Sequence, residues 1–571
     1  MKIRLLFALA TAATLVTSAY AAPTLRLTNT AVGPISIAAG GSAASPLVEA
    51  YNVGDGSLSL SAQSSASWLS ASIGGQTTCK TTPAPPASSC IPIQIQVNAG
   101  AMAASTTPYT GIITITAPNT IDAPQTITVT AAVGGTVPSS VNVYVAPGTE
   151  QDVTFYTNSM LNGQSKTNDG ASWLSLALQG TGSFRFALPY YIRVVPKTNQ
   201  TSGTYSGTIT TSGSNFAGDN KTISVTMQVT TQPIAQASPS QENVTLAQGA
   251  APLTVGVSLL NAGQGTLTVQ SVASTAQGVT ASVISGGAAV TFDPGSLAPG
   301  TYTGAVTITS NAVNGPVSVP VNFTVESKGP PSIPFQGVVD DAIFAAGDPV
   351  TPGDIVALFG DQLFFGAGTL GSGSPLGTTI GTTQVLVNGR PAPLFYASYG
   401  QINLQVPVET AAGTAQVQVM RDGLPSNTVS LAIANRAARL LLIGVGSYGA
   451  IENTDFSIPM PIGSFPGVNT RPAHIGDTLT LFGIGMGATS PAAATGVPSS
   501  AAASLASTPT VFFGDFGAQP ATPLYAGVTP GFAGLYQVNV TIPQGVPAGN
   551  VDVRLMFPDG TVSNPVQIAV Q

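Results

Sequence analysis

Apolar and polar residues alternate with a period of two along most of this chain. In the run Tyr109 to Thr116, Ile113 and Ile115 fall on one face of an extended strand, and Ile112, Thr114 and Thr116 fall on the other. Thr126 to Val133 and Val317 to Val325 alternate in the same way. Gly, Pro and Asn punctuate these runs at short spacing, which predicts β-sandwiches. Beyond the N-terminal segment, no long stretch carries the apolar period of about 3.6 that marks a helix.

Repeated phrases divide the pattern into units. Tyr-Thr-Gly at Tyr109, Tyr-Ser-Gly at Tyr205 and Tyr-Thr-Gly at Tyr302 open related strands, 96 and 97 residues apart. Ala-Ser-Trp-Leu-Ser occurs at Ala66–Ser70 and again at Ala171–Ser175, and Gly278-Val279 falls near its place in the third unit. Asn52-Val-Gly-Asp-Gly matches Asn261-Ala-Gly-Gln-Gly. After Lys328-Gly-Pro-Pro331 the phrasing changes. Pro352-Gly-Asp354 and the strand after it match Ile475-Gly-Asp477, and Ser426-Asn427 matches Ser563-Asn564. Tyr399 to Pro407 matches Tyr536 to Pro543, so Gln401 and Asn403 correspond to Gln537 and Asn539. Side chains on this strand alternate, with Ile402, Leu404 and Val406 on one face. The shared Asn is expected to bond a neighbouring loop backbone, a scaffold role. Asn388-Gly389, Asp422-Gly423 and Asp559-Gly560 read as two-residue hairpin turns.

The first two units resemble BACON domains, on the Trp-Leu-Ser phrase and the later Tyr-x-Gly strand. The third, which lacks the Trp, reads as a more general immunoglobulin-like relative. From about Phe335 to Gln571 the chain resembles the uncharacterised Solibacter-type C-terminal domain, each half of which is similar to an IPT/TIG domain. The resemblance rests on Gly-Asp-x-x-x-Leu-Phe-Gly, Gly449-Ala-Ile-Glu-Asn453 and Ala533 to Pro543. It implies adhesion and spacing for the C-terminal pair and suggests carbohydrate binding for the BACON-like units.

The predicted fold class is therefore all-β: about five tandem immunoglobulin-like β-sandwich domains after a signal peptide. The expected limits are 1–21 for the signal peptide, 22–134 and 135–232 for two BACON-like sandwiches, and 233–327 for a third sandwich. A linker at 328–332 and IPT/TIG-like repeats at 333–436 and 437–571 complete the chain. Lys2 and Arg4, an apolar run from Leu5 to Thr17, and Ala19-Tyr20-Ala21 predict secretion with cleavage after Ala21. No transmembrane anchor is expected in the mature chain.

Composition narrows the chemistry. Of 571 residues, 43% are hydrophobic and only 7% charged, so cores can form and the polar surface must be largely Thr, Ser, Asn and Gln. The formal net charge of −7, or −9 without Lys2 and Arg4, excludes nucleic acid as a partner, because phosphate contacts need clustered cations. Cys79 and Cys90 are expected to pair across a proline-rich insertion.

Candidate catalytic groups are few. The single histidine, His474, aligns with Thr351 and has no nucleophile-elbow partner. Asp340, Asp341, Asp348 and Asp354 form an acidic cluster, read as solvated loop carboxylates with weak calcium binding as the alternative. Gly483 to Gly487 reads as a glycine-rich turn. Trp68 and Trp173, the only tryptophans, are either sandwich anchors or sugar contacts. Because Leu follows each Trp directly, strand alternation predicts that one residue of each pair is less buried. No catalytic residue, metal or cofactor is expected. The reading is a non-enzymatic surface, adhesion or spacer protein whose partner is an extracellular or cell-surface polymer. The alternative is an array of polysaccharide-binding modules.

Overall fold

The computed structural model describes residues 23–571, except 38–39, 46, 54–55, 82–88, 101, 103–107, 119, 121–122, 134–136, 158–159, 180–187, 215–216, 445, 466 and 516. The expected signal peptide, with its cleavage point after Ala21, lies outside the described residues. Ten sheets occur among the described residues, and the sole helical element there is a single turn, Ala217–Asp219. The chain is an all-β string of immunoglobulin-like sandwiches.

Buried apolar side chains gather into five clusters, spanning residues 25–133, 137–229, 235–325, 333–433 and 438–570. Each lies between two sheets. In the first sandwich the opening strand is split. Leu25–Leu27 pairs with Val48–Asn52, and Ala31–Ile37 crosses to the facing sheet to run parallel to Gln125–Val133. The same parallel closure joins Ser140–Val145 to Thr222–Val229 and Glu242–Ala247 to Val317–Glu326. In the last two sandwiches it shrinks to single bridges, Val350 to Ile433 and Ala473 to Val570.

The repeated phrases make repeated bonds. Asn52 Oδ1 accepts from the Thr24 amide and Asn52 Nδ2 donates to Gly56, and Asn261 makes the same pair with Ile234 and Gly265. Asn427 clasps Ile333 through both its amide and carbonyl, at 2.9 and 2.8 Å, and Asn564 clasps Leu440 at 2.8 and 3.0 Å. Tyr205 and Tyr302 each donate a hydroxyl bond to the carbonyl four residues earlier, on Thr201 and Ala298, the bond of a tyrosine corner. The glycine of that phrase permits close approach. A Cβ on Gly111 would lie 2.9 Å from Leu69 and 3.0 Å from Trp68, and one on Gly207 would lie 3.0 Å from Leu174. Gly353 and Gly476 have φ of +82° and +90° at equivalent turns, where Thr351 and His474 donate their amides to Asp354 and Asp477.

Asn388-Gly389 and Asp422-Gly423 are tight hairpin turns with positive φ at both residues. Asp559-Gly560 differs: only Gly560 has positive φ, because Asp559 Oδ1 accepts from the Thr561 amide and closes a wider turn in which the Phe557 amide bonds Thr561.

Two junctions are packed. Phe365 and Tyr399 of the fourth sandwich pack against the core of the third, and the Phe365 carbonyl accepts from Ala251. Gln405, 1% exposed, spans the fourth and fifth: its Nε2 donates to Gly353 and its Oε1 accepts from Gly496. The chain also folds back, placing the Arg26 guanidinium of the first sandwich 3.5 Å above the Phe335 ring of the fourth.

Candidate functional site

Cys79 and Cys90 form a disulfide, with Cα atoms 4.8 Å apart. A second restraint on this insertion was not read from the sequence. Glu49 is wholly buried in the strand Val48–Asn52. Its carboxylate accepts bonds from the amides of Lys80 and Thr81 and from the Thr81 hydroxyl, at 2.8 to 3.1 Å. Burial raises the Glu49 pKa, but these bonds outweigh it and hold the group below the usual carboxylate range. The available signal was a lone acidic residue inside an apolar strand.

The two tryptophans differ. Trp173 is 4% exposed, and its Nε1 donates to Asp169 at 3.1 Å, so this ring offers no open face for a sugar. Leu174, the next residue, is 5% exposed. The expectation that one of the two would be less buried fails here because Leu174 begins the strand Leu174–Leu178. Trp173 sits in the irregular segment before it, where strand alternation does not apply. In the first sandwich Leu69 is buried, and Trp68 is half-buried against the same core. In the third, Leu297 and Phe323 crowd the space beside Gly278 where a Trp would sit.

The acidic cluster divides: Asp348 is exposed as expected and Asp341 half-buried, but Asp340 and Asp354 are buried, contrary to expectation. Asp340 is 3% exposed and caps a turn by accepting from the amides of Ala342, Ile343 and Ala345. Asp354 is 1% exposed and accepts from Thr351 and Ile355, while the Gly485 turn of the fifth sandwich comes up against its carboxylate. Burial pushes Asp354 up to about 7 despite these bonds. Asp341 accepts from Asn403 at 3.0 Å, and Asp348 pairs with Arg439 at 2.9 Å. No group of three or more His, Cys, Asp or Glu among the described residues could hold a metal ion.

Gln401 donates to Asn403 at 2.7 Å, and Gln537 donates to Asn539 at 3.2 Å. The Asn403 amide goes to the Asp341 side chain rather than to a loop backbone as expected. A side-chain bond thus replaces the loop cap. His474 is exposed and faces Asp477, with Nδ1 at 3.5 Å. Gly485 and Gly487 both have positive φ, in the turn after the strand Thr478–Ile484.

A cleft of about 480 Å³ lies between the fourth and fifth sandwiches, lined in part by Gly353, Gln405, Arg436, Thr489, Tyr536 and Asp559. Its size is that of a small-molecule site. Several of its polar groups are engaged by the protein itself. Arg436 Nε donates to Met486, its guanidinium meets Asp559 and stacks 4.3 Å from the Phe557 ring, and Tyr536 donates to Gly487. Thr489 donates to Pro491. These bonds help hold the two sandwiches together.

No family model matches this chain, and no curated protein matches it. Among solved structures, an endo-fucoidan hydrolase from glycoside hydrolase family 107 is 12% identical with a TM-score of 0.18; 54% of this chain is covered, spanning 45% of that one. The Bacteroides ovatus protein SGBP-B, solved with a mixed-linkage heptasaccharide, is 12% identical over 58% of this chain and 66% of its own, with a TM-score of 0.21. Immunoglobulin domains 1–5 of Sidekick-1 are 11% identical over 96% of this chain and 99% of theirs, with a TM-score of 0.18. At these scores none of the likenesses bears on what the chain does.

Proposed function

We propose that this chain is a secreted, non-enzymatic adhesion or spacer protein of the cell surface. In this reading the first two sandwiches are BACON-like and the last two are IPT/TIG-like halves of a Solibacter-type domain. The observation that carries the proposal is where the polar side chains go. Asn427, Asn564, Gln405, Asp340, Glu49 and Arg436 all hold strands, loops or sandwiches in place. The disulfide supports an oxidising compartment, and no helix among the described residues is long and apolar enough to cross a membrane.

The test uses the intact mature chain, residues 22–571. It is presented to isolated cell envelopes and insoluble polysaccharides, and assayed for turnover of polyester, peptide and glycan substrates. Retention on envelopes without turnover is expected, and turnover would overturn the proposal. A carbohydrate-binding reading narrows to Trp68, the tryptophan with ring surface still open. It would be supported by polysaccharide retention that Trp68→Ala abolishes while the melting temperature of the first sandwich shows that it remains folded.

A further inference from the structure

The cleft of about 480 Å³ between the fourth and fifth sandwiches has walls that the protein itself fixes in place. One part of the lining is the segment that connects the two sandwiches, with Asn435 and Arg436. Another part is the loop with Ala488, Ala492 and Ala493, which leaves the fifth sandwich and lands on the fourth. At its far end Thr495 accepts from the Val408 amide at 2.9 Å and donates to Glu409 at 2.7 Å. The next residue, Gly496, donates its amide to Gln405 and accepts from the Leu376 amide, both at 2.7 Å. The cleft is therefore built before anything enters it, and a preformed site binds without first ordering its walls. Joints between domains are where ligand sites concentrate.

The lining combines carbon surface with a few polar groups. Pro352, Val408, Ala492, Ala493 and Val528 supply the carbon. Gly353, Gly487 and Gly534 have φ of +82°, +96° and +76°, so backbone forms the wall at those points. Arg436 and Asp559 pair with each other, which leaves the lining without net charge. Two donors remain uncommitted among the described residues. The exposed Asn435 side-chain amide makes no hydrogen bond, and Arg436, whose Nε goes to Met486 and Nη1 to Asp559, has Nη2 left over. The Asp559 side chain is 48% exposed and keeps acceptor capacity toward the solvent. Tyr536, the aromatic residue of the lining, is 4% exposed and offers no ring face.

We propose that this cleft binds one neutral sugar residue, an uncharged hexose. A carboxylate ligand would meet Asp559 and an ammonium would meet Arg436, whereas a hydroxyl both donates and accepts. Neighbouring hydroxyls of a pyranose match the Asn435 amide, Arg436 Nη2 and the Asp559 carboxylate. The C–H face of the ring matches Val408, Ala492 and Ala493. A flat heteroaromatic ligand finds nothing to stack on. The site is separate from Trp68 and does not depend on what the first two sandwiches bind.

Saturation-transfer NMR and calorimetric titration of the intact mature chain test this. The probes are glucose, galactose and mannose, with glucuronate and glucosamine as charged counterparts. At least one of the neutral hexoses should bind with a millimolar dissociation constant, and the charged counterparts more weakly. Ala493→Phe puts a ring into the cleft from an exposed loop position and should abolish binding. Asn435→Ala removes an amide that holds nothing in the fold, so it should leave the melting temperature unchanged and weaken binding by about three- to tenfold. This second variant keeps the test open if the first does not fold. No binding of any neutral hexose, binding that both variants retain in full, or tighter binding of glucuronate or glucosamine would overturn the sugar site. Retention on envelopes without hexose binding overturns the sugar site alone and leaves the adhesion reading standing.

Discussion

Single side chains in this protein are committed to holding backbone, and each repeated residue can be asked what it holds. Asn427 and Asn564 each satisfy a backbone amide and a backbone carbonyl that would otherwise be left half-buried. Asn427→Ala should therefore cost about 2–3 kcal/mol in chemical unfolding of the fourth sandwich, and Asn564→Ala a similar amount in the fifth. Tryptophan burial makes a second contrast. Trp173→Ala should cost about 3–5 kcal/mol, and Trp68→Ala less, because Trp68 is only partly covered. Asp354 adds a pH dependence of its own. Its folded value near 7 lies above its ordinary 3.8, so stability should fall as pH rises from about 4 to about 7 and then level off. Asp354→Asn should flatten its share of that slope in thermal melts. These roles were legible in part. The Asn phrases stood out as repeats because the same turn is built twice, whereas the burial of Asp340 and Asp354 was not visible, since local sequence does not show what packs over a loop.

Among the elements, the strands were read well because their alternation is local. Ile113 and Ile115 are fully buried on one face of Tyr109–Thr116, while Ile112 is exposed on the other. The Tyr-x-Gly strand was recognised as a phrase, and the structure supplies its cause. The Tyr hydroxyl fixes the entry turn, and the Gly leaves room for the Trp-Leu segment beside it. Gly207→Ala should thus cost about 1–3 kcal/mol in the second sandwich through overpacking against Leu174. The Cys79–Cys90 insertion is an element held twice, by the disulfide and by Glu49. Removing both cysteines should cost roughly 2–3 kcal/mol on the loop-entropy argument. Glu49→Gln should loosen the insertion to proteolysis while the disulfide remains. Where alternation misled, at Trp173-Leu174, the strand begins one residue after the Trp.

The whole molecule is set by its joints, and these were the least legible part of the chain. Lys328 to Pro331 reads as a linker by composition, yet residues from Gln362 to Arg421 converge on it. Phe365 and Tyr399 leave their own sandwich to pack on its neighbour, and no period or motif marks them as joint residues. Gln405 looks like one more polar strand residue until the fifth sandwich covers it. The packed junctions make the last three sandwiches one firm body with a set arrangement. The measurement that tests it most directly is the distance distribution between spin labels at Ser282→Cys and Thr508→Cys in the intact mature chain at pH 5.5. Both positions are exposed, and the native cysteines are already paired. A single narrow distribution is predicted. A broad one, like that of sandwiches on free linkers, would contradict the account.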